Sequence, residues 1–341
     1  MASTTVVIPF ALPPAELATE LNRHLQAPAL ATLLSRNKSR QRLPHDAALR
    51  VLPHEAWLAR ACGDAGPGAQ LAAAVMRGFG LQPAPGYWFI VHPVHIQLAR
   101  SHLVMADTRR LRLEEAEARA LFDAAQPYFD ELVWGDANTW FMRADGWQGL
   151  EAASADAAIG ANLADWMPTG ASALAFKKLQ NEIQMLWYAH PVNAAREERG
   201  LTPVNSFWMW GGASAPAATR PNAGAFATAG GPSWLRALAA PAASPADAPA
   251  WLAAADGVAA STLVLPQLIP AGAGNDWSAW LVAMQELEQQ WLAPLLDALR
   301  SGRIGEISLV LGDRDGLTEI RTNKLALNKF WRAQNLKNLT Q

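Results

Sequence analysis

The chain has 341 residues, 51% hydrophobic and 17% charged, which excludes a disordered polypeptide and suffices for one large or two closely packed domains. Its formal net charge of -2 gives no global push toward nucleic acid or an anionic membrane. The one cysteine, Cys62, excludes an internal disulfide and fits a reducing compartment. With no signal-like start and no run of about 18 apolar residues, the expectation is a soluble cytoplasmic protein.

Strand and helix signals alternate along the chain, the pattern of a covered, mainly parallel sheet. Val6 to Phe10 opens as a strand, and Pro14 to Leu34 reads as mostly helical. Arg36, Lys38, Arg40 and Arg42 then form a basic run. It reads as a solvated loop, because it lacks the interleaved aromatics that stack bases. Helices are expected at His54 to Ala61 and Ala69 to Phe79, strands at Tyr87 to Val91 and His102 to Met105, a helix from Glu114 to Leu132, and a strand at Thr139 to Arg143. The next helix runs from about Ser172, with Leu174, Leu179, Ile183, Leu186 and Trp187 at helical spacing.

Pro191 disfavours helix at His190, so His190 falls at a kink or between two shorter helices. Gly200 supplies a helix stop. Pro203 introduces an aromatic strand from Val204 to Trp210, ending at Gly211 and Gly212. From Ala213 to about Ala260 the chain is rich in Ala, Pro and Gly and reads in part as mobile linker, anchored by Trp234, Leu235, Leu238, Trp251 and Leu252. A strand from Thr262 to Ile269, a helix from Asp276 to Arg300 and a strand from Ile307 to Leu311 make a parallel crossover. Leu317 to Thr322 adds an antiparallel edge, and Phe330 and Trp331 pin the tail. Most of the 15 Trp residues recur at helical or strand spacing and read as core.

The segment Asn181 to Gly212 gathers polar groups of fixed geometry among aromatics. His190, Asn193, Arg196 and Asn205, with Trp208 and Trp210, are the candidate ligand-binding residues. Arg196 lies one turn beyond Asn193, so the two share a helix face, and its planar fork suits a carboxylate or phosphate. The alternative is that these groups cap and staple the turn internally, with Arg196 pairing on the surface with Glu197 or Glu182. Elsewhere, His92, His95 and His102 lack acidic partners of a known metal-site spacing. HEAWL lacks the second His of a zinc-protease helix, and no phosphate-binding glycine motif or nucleophile elbow is present. Cys62 has no activating base near it in sequence.

The pattern HPVNxxRxxxGxxPxNxxWxWG resembles a segment of archaeal-type cofactor-independent phosphoglycerate mutases, members of the alkaline phosphatase superfamily. It resembles still more closely a group of bacterial regulatory proteins of the RpfE type. That similarity extends, more weakly, to HEAWL at His54, HPVHIQ at His92, LPQLIPAGAGNDWSAW before the last long helix and LVLGD at Leu309 to Asp313.

The resemblance implies an α/β fold, an alkaline-phosphatase-like mainly parallel sheet covered by helices. An inserted smaller α+β subdomain falls at 86–170, leaving a discontinuous main domain at 1–85 and 171–341. It also implies two divalent metals and a Ser or Thr nucleophile, with Asp and His ligands at strand ends. This chain departs from that set. The first strand leads to Ala11, Leu12, Pro13 and Pro14 without a carboxylate, and the strand from Thr262 leads to Asn275, Asp276 and Trp277 without a His. Arg314 stands beside Asp313, and a guanidinium cannot ligate a metal. The expectation is therefore a non-catalytic relative with no catalytic residues, metal or cofactor, sensing a small anionic metabolite or binding a protein partner, and without nucleic-acid or membrane partners. The alternative is a metal-dependent mutase or phosphomonoesterase with a divergent site.

Overall fold

The computed structural model describes residues 2–46, 48–63, 66, 68–215, 225–239 and 244–339. Its strands, in chain order, are β1 (Ser3–Ile8), β2 (Ser39–Leu43), β3 (Gly86–Val94), β4 (Ile96–Ala99), β5 (His102–Met105), β6 (Glu131–Asp136), β7 (Thr139–Arg143), β8 (Ser206–Ala215), β9 (Ala225–Thr228), β10 (Ala260–Val264), β11 (Glu306–Gly312) and β12 (Leu317–Asn323). The chain divides into two compact units, Met1–Ala47 with Pro221–Gln341, and Ala48–Arg220.

The first unit carries a six-stranded sheet in the order β2-β12-β11-β1-β10-β9. β9, β10, β1 and β11 are parallel; at one side β12 pairs antiparallel with β11, and β2 pairs antiparallel with β12. The mainly parallel, helix-covered sheet expected from the alternating pattern is present. Val6, Val7, Ile8, Leu309, Val310 and Leu311 are at most 1% exposed, as continuous apolar runs should be where helices cover both faces. The expected long helix divides into Trp277–Leu287, a π-helical turn at Glu288–Leu292, and Ala293–Ser301. At that turn Glu288 accepts the backbone N–H of Ala29 and Leu30 at 2.6 and 3.0 Å. A side chain from a distant helix thereby caps the helix Pro28–Ser35, whose own Ala27 N-cap position offers no acceptor.

Three sequence expectations change in this unit, and one, the anchoring of the Ala- and Pro-rich stretch, holds. The basic run is not a solvated loop: Ser39–Leu43 forms edge strand β2, so β12 lies inside the sheet. β10 stops at Val264 because Pro266 and Pro270 start short helical turns, Pro266–Leu268 and Ile269–Ala273. Phe330 and Trp331 do not pin the tail, since they are 78% and 69% exposed. The Ala- and Pro-rich stretch holds β9 and the helices Ser233–Leu238 and Ala248–Ala254, whose Trp234, Leu235, Leu238, Trp251 and Leu252 are buried. Of the linker expected between Ala213 and about Ala260, residues 216–224 and 240–243 lie outside the described residues.

The second unit has an antiparallel sheet in the order β6-β7-β3-β8 and a β4–β5 hairpin. Phe122 from the helix Glu115–Ala125 and Phe176, Ile183 and Trp187 from the helix Ala173–Tyr188 join one apolar cluster with Phe89, Val91, Trp140, Phe207 and Met209 of the sheet. The helix expected to reach Leu132 stops at Ala125, ahead of Pro127, and Leu132 becomes part of β6. β8 continues through Gly211 and Gly212 to Ala215, paired along β3. That pairing is why the unit boundary differs from the expected 86–170 subdomain: β8 and the helices before it belong with β3 by hydrogen bonding and shared core. Among the described residues no helix is long and apolar enough to cross a membrane.

Candidate functional site

The central motif folds into a turn held by hydrogen bonds along its length. His190 sits between two helices, as its proline neighbour predicts, and its Nδ1 accepts the Val192 N–H at 3.2 Å, capping the helix Pro191–Glu198. That helix ends in a Schellman arrangement. Gly200, at φ 69°, donates to the Glu197 carbonyl and Leu201 donates to the Arg196 carbonyl. Asn193, 4% exposed, donates from Nδ2 to the Trp187 and Val204 carbonyls at 2.8 and 2.7 Å and accepts the Val204 N–H at 2.8 Å. One amide thus ties the end of the preceding helix to the start of the following strand.

Arg196 is fully buried. Its Nε donates to the Thr202 carbonyl at 2.9 Å, and its two terminal nitrogens meet the Leu111 carbonyl and the Glu117 carboxylate. Glu117 also receives Arg199 and the Glu114 N–H. Asn205 exchanges two 2.8 Å bonds with the backbone N–H and carbonyl of Ile96, taking the part of a strand residue in the ladder. Trp208 donates to the Ala153 carbonyl at 2.8 Å and Trp210 to His92 Nε2 at 2.9 Å.

In this structure the six residues make mainly internal hydrogen bonds. The side chains of Asn193, Arg196 and Asn205 and the Nδ1 of His190 bond mainly to nearby backbone, and both Trp rings are buried. The internal-staple alternative describes them, although the partner of Arg196 is Glu117 rather than Glu197 or Glu182. Glu117 went unnoticed in the sequence. The Glu114-x-x-Glu117 capping box at the start of its helix was the available signal, but it shows a helix start, not a partner 79 residues away.

The imidazoles of the second unit also serve the fold. His92 Nδ1 donates to the Asn138 carbonyl at 2.7 Å while Nε2 accepts from Trp210, a pairing that specifies one neutral tautomer. Burial pushes its pKa down, against the pull of the Asn138 carbonyl. His95 bonds the Pro203 carbonyl at 2.9 Å. In the first unit, the carboxyl ends of the parallel strands are where an open α/β sheet places ligands. After β1, Phe10 adopts a positive φ of 57° and its carbonyl accepts the Trp280 indole at 2.7 Å. Gly272 packs so tightly on Phe10 that a Cβ there would stand 2.5 Å from the Phe10 Cβ.

After β11, Asp313 Oδ1 accepts the Asp315 and Gly316 N–H groups at 2.7 and 2.6 Å, and Oδ2 lies 3.5 Å from Arg42. Arg314 donates to the Ala273 carbonyl at 2.9 Å and holds its guanidinium 5.8 Å from the Phe10 ring. These residues do not fit the two-metal group implied by the mutase resemblance. An aromatic ring, a loop-capping carboxylate and a guanidinium are not the several anionic or imidazole donors that a metal pair takes.

A cavity of about 780 Å³ also opens in the first unit, between the helix Ala15–His24, the start of Pro28–Ser35 and residues 334–337. Thr19, Asn22, Arg23, Asn335 and Lys337 give it polar walls, and Leu25, Ala27 and Ala31 an apolar floor. Asn22 Nδ2 donates to the Leu336 carbonyl at 3.1 Å, whereas its buried Oδ1 has no hydrogen-bond partner. A buried acceptor left unmatched is costly, and the cavity itself is of small-molecule size with Arg23 and Lys337 among its lining residues.

No protein-family model matches the chain. A probable 2,3-bisphosphoglycerate-independent phosphoglycerate mutase from Geobacter sulfurreducens is 30% identical over 134 residues, covering 38% of this chain and 33% of that protein. A 2,3-bisphosphoglycerate-independent phosphoglycerate mutase from Methanosarcina barkeri is 37% identical over 57 residues, 17% of this chain and 14% of that one. The chain thus matches about a third or less of the length of these curated relatives. Among solved structures, the PH0037 protein from Pyrococcus horikoshii aligns over 94% of this chain and 87% of its own, with a TM-score of 0.54 at 12% identity, a likeness of fold.

Proposed function

We propose that this chain is a phosphoglycerate-mutase-like protein of the regulatory RpfE type, which binds a small anionic molecule and does not carry out two-metal phosphoryl transfer. The carrying observation is the strand-end chemistry. Phe10, Ala11 and Leu12 follow β1 with no carboxylate, and Asp313 caps its own loop beside Arg314. The ligand's place is the cavity walled by Arg23 and Lys337, which supply positive charge.

Two results test this reading. Purified protein with excess Mn²⁺ or Zn²⁺ should keep its melting temperature and turn over no 3-phosphoglycerate. A native-state metal at one hundred times its Kd would add about 2.7 kcal/mol of stability, so a rise in Tm together with turnover abolished by Asp313→Ala would establish the enzyme instead. In a second experiment, phosphorylated or carboxylated compounds should raise the Tm of the parent, and Arg23→Ala should remove that shift while leaving the unliganded Tm nearly unchanged. Arg23 is exposed, so its loss costs the fold little. A shift that persists in Arg23→Ala would exclude this cavity.

A further inference from the structure

We infer that one face of the first unit, built from residues 35–40 and 324–332, docks on an anionic lipid surface. The net charge of -2 is unevenly placed: from Ile320 to Gln341 the chain carries Arg321, Lys324, Lys329, Arg332 and Lys337 and no acidic residue. The fold brings this segment onto the basic run near the start of the chain. Lys329 Nζ donates to the Asn37 carbonyl at 2.8 Å, across 292 residues of sequence. Arg36 donates to the Leu327 carbonyl at 3.2 Å, and Arg332 to the Ser35 carbonyl at 3.3 Å.

These acceptors are carbonyls, so the bonds position the cations without neutralising them. Nearby, Lys38 pairs with Glu306, Arg42 with Asp313 and Arg321 with Glu319. Arg36, Lys324, Lys329 and Arg332 have no carboxylate partner among the described residues.

The same face presents Leu325, Phe330 and Trp331, which are 78%, 78% and 69% exposed. Exposed Trp, Phe and Leu beside Lys and Arg is the composition that lies in a headgroup layer, where apolar side chains insert and cations meet anionic lipid. A single nucleic-acid strand fits less well. It needs open ring faces on which successive bases stack, whereas Phe330 and Trp331 pack edge to face with centroids 5.3 Å apart, and the third apolar side chain is aliphatic. The aromatics missing from the basic run in sequence are thus supplied by the fold, but in an arrangement suited to lipid rather than to bases.

The test is co-sedimentation of the full chain with phosphatidylglycerol–phosphatidylcholine vesicles and with pure phosphatidylcholine vesicles. Binding should appear only with the anionic vesicles and should weaken as salt is raised. Replacing Lys324, Lys329 and Arg332 by Gln should reduce partitioning roughly five-fold per charge, given about 1 kcal/mol per cation near the surface. Phe330→Ser with Trp331→Ser, at exposed positions the core does not use, should reduce it without lowering Tm. No binding to anionic vesicles would overturn the proposal, as would binding unchanged in the aromatic variant. So would retention of a single-stranded oligonucleotide in preference to vesicles.

Discussion

Arg196→Ala should destabilise the second unit by about 3–5 kcal/mol, the cost of breaking a buried ion pair by removing one partner. The guanidinium is completely buried and bonds Thr202, Leu111 and Glu117. Its deletion strands two backbone carbonyls and leaves Glu117, whose side chain is 12% exposed, with only the half-exposed Arg199 as a charge partner. Arg196→Lys should recover little, because one ammonium cannot reach three acceptors that diverge around a planar fork. The measurement is a urea unfolding series. Adding Glu117→Gln to Arg196→Ala should cost less than the sum of the two single losses, since the stranded charge is removed with its partner. A loss under about 1 kcal/mol for Arg196→Ala would match an exposed ion pair and contradict the buried arrangement.

Glu55 should make stability fall as pH rises. Burial and the negative charge of Asp156 push its pKa from 4.5 to about 8, against the opposing pull of the Leu52 N–H and the Ser154 hydroxyl. Folding therefore favours the protonated acid. Below pH 4.5 both folded and unfolded chains hold the proton and the contribution is fully present. Between 4.5 and about 8 only the folded chain holds it, so stability drops by about 1.4 kcal/mol per pH unit, and the contribution is gone above that window.

The buried imidazole of His92 and the partly buried one of His95, with pKa values pushed down by burial, act in the opposite direction. They lose stability as pH falls and unfolded histidine takes up protons. Because they are unchanged in Glu55→Gln, the difference between parent and variant isolates the carboxyl. Gln reproduces the neutral form, so the unfolding free energies of the two proteins should converge in acid. Toward pH 8 the variant should be the more stable by several kcal/mol. Parallel profiles would show that Glu55 is ionised in the folded protein.

Much of the central turn was legible in sequence, because proline, glycine and Asn act over a few residues. Pro191 placed His190 between helices, Gly200 ended the second one, and Pro203 began the strand. What those side chains touch was not legible. A buried Arg and a ligand-binding Arg have the same local spacing, and only the approach of Leu111 and Glu117 from another helix distinguishes them. At the strand ends, the missing carboxylate after β1 could be read directly, but not the filling of that position by Phe10 against Gly272.

The sequence by itself determined the alternating elements, the buried parallel strands and the turn around Pro191, Gly200 and Pro203, since periodicity and backbone restriction are properties of short segments. Only the tertiary structure decided that Ser39–Leu43 is an edge strand, that β8 belongs with β3, and that Phe330 and Trp331 face outward beside Arg36 and Lys329. Each of these depends on pairing between residues far apart in the chain. The free energy of such pairing comes from hydrogen bonds and buried area completed by the distant partner, and no local pattern records which partner arrives.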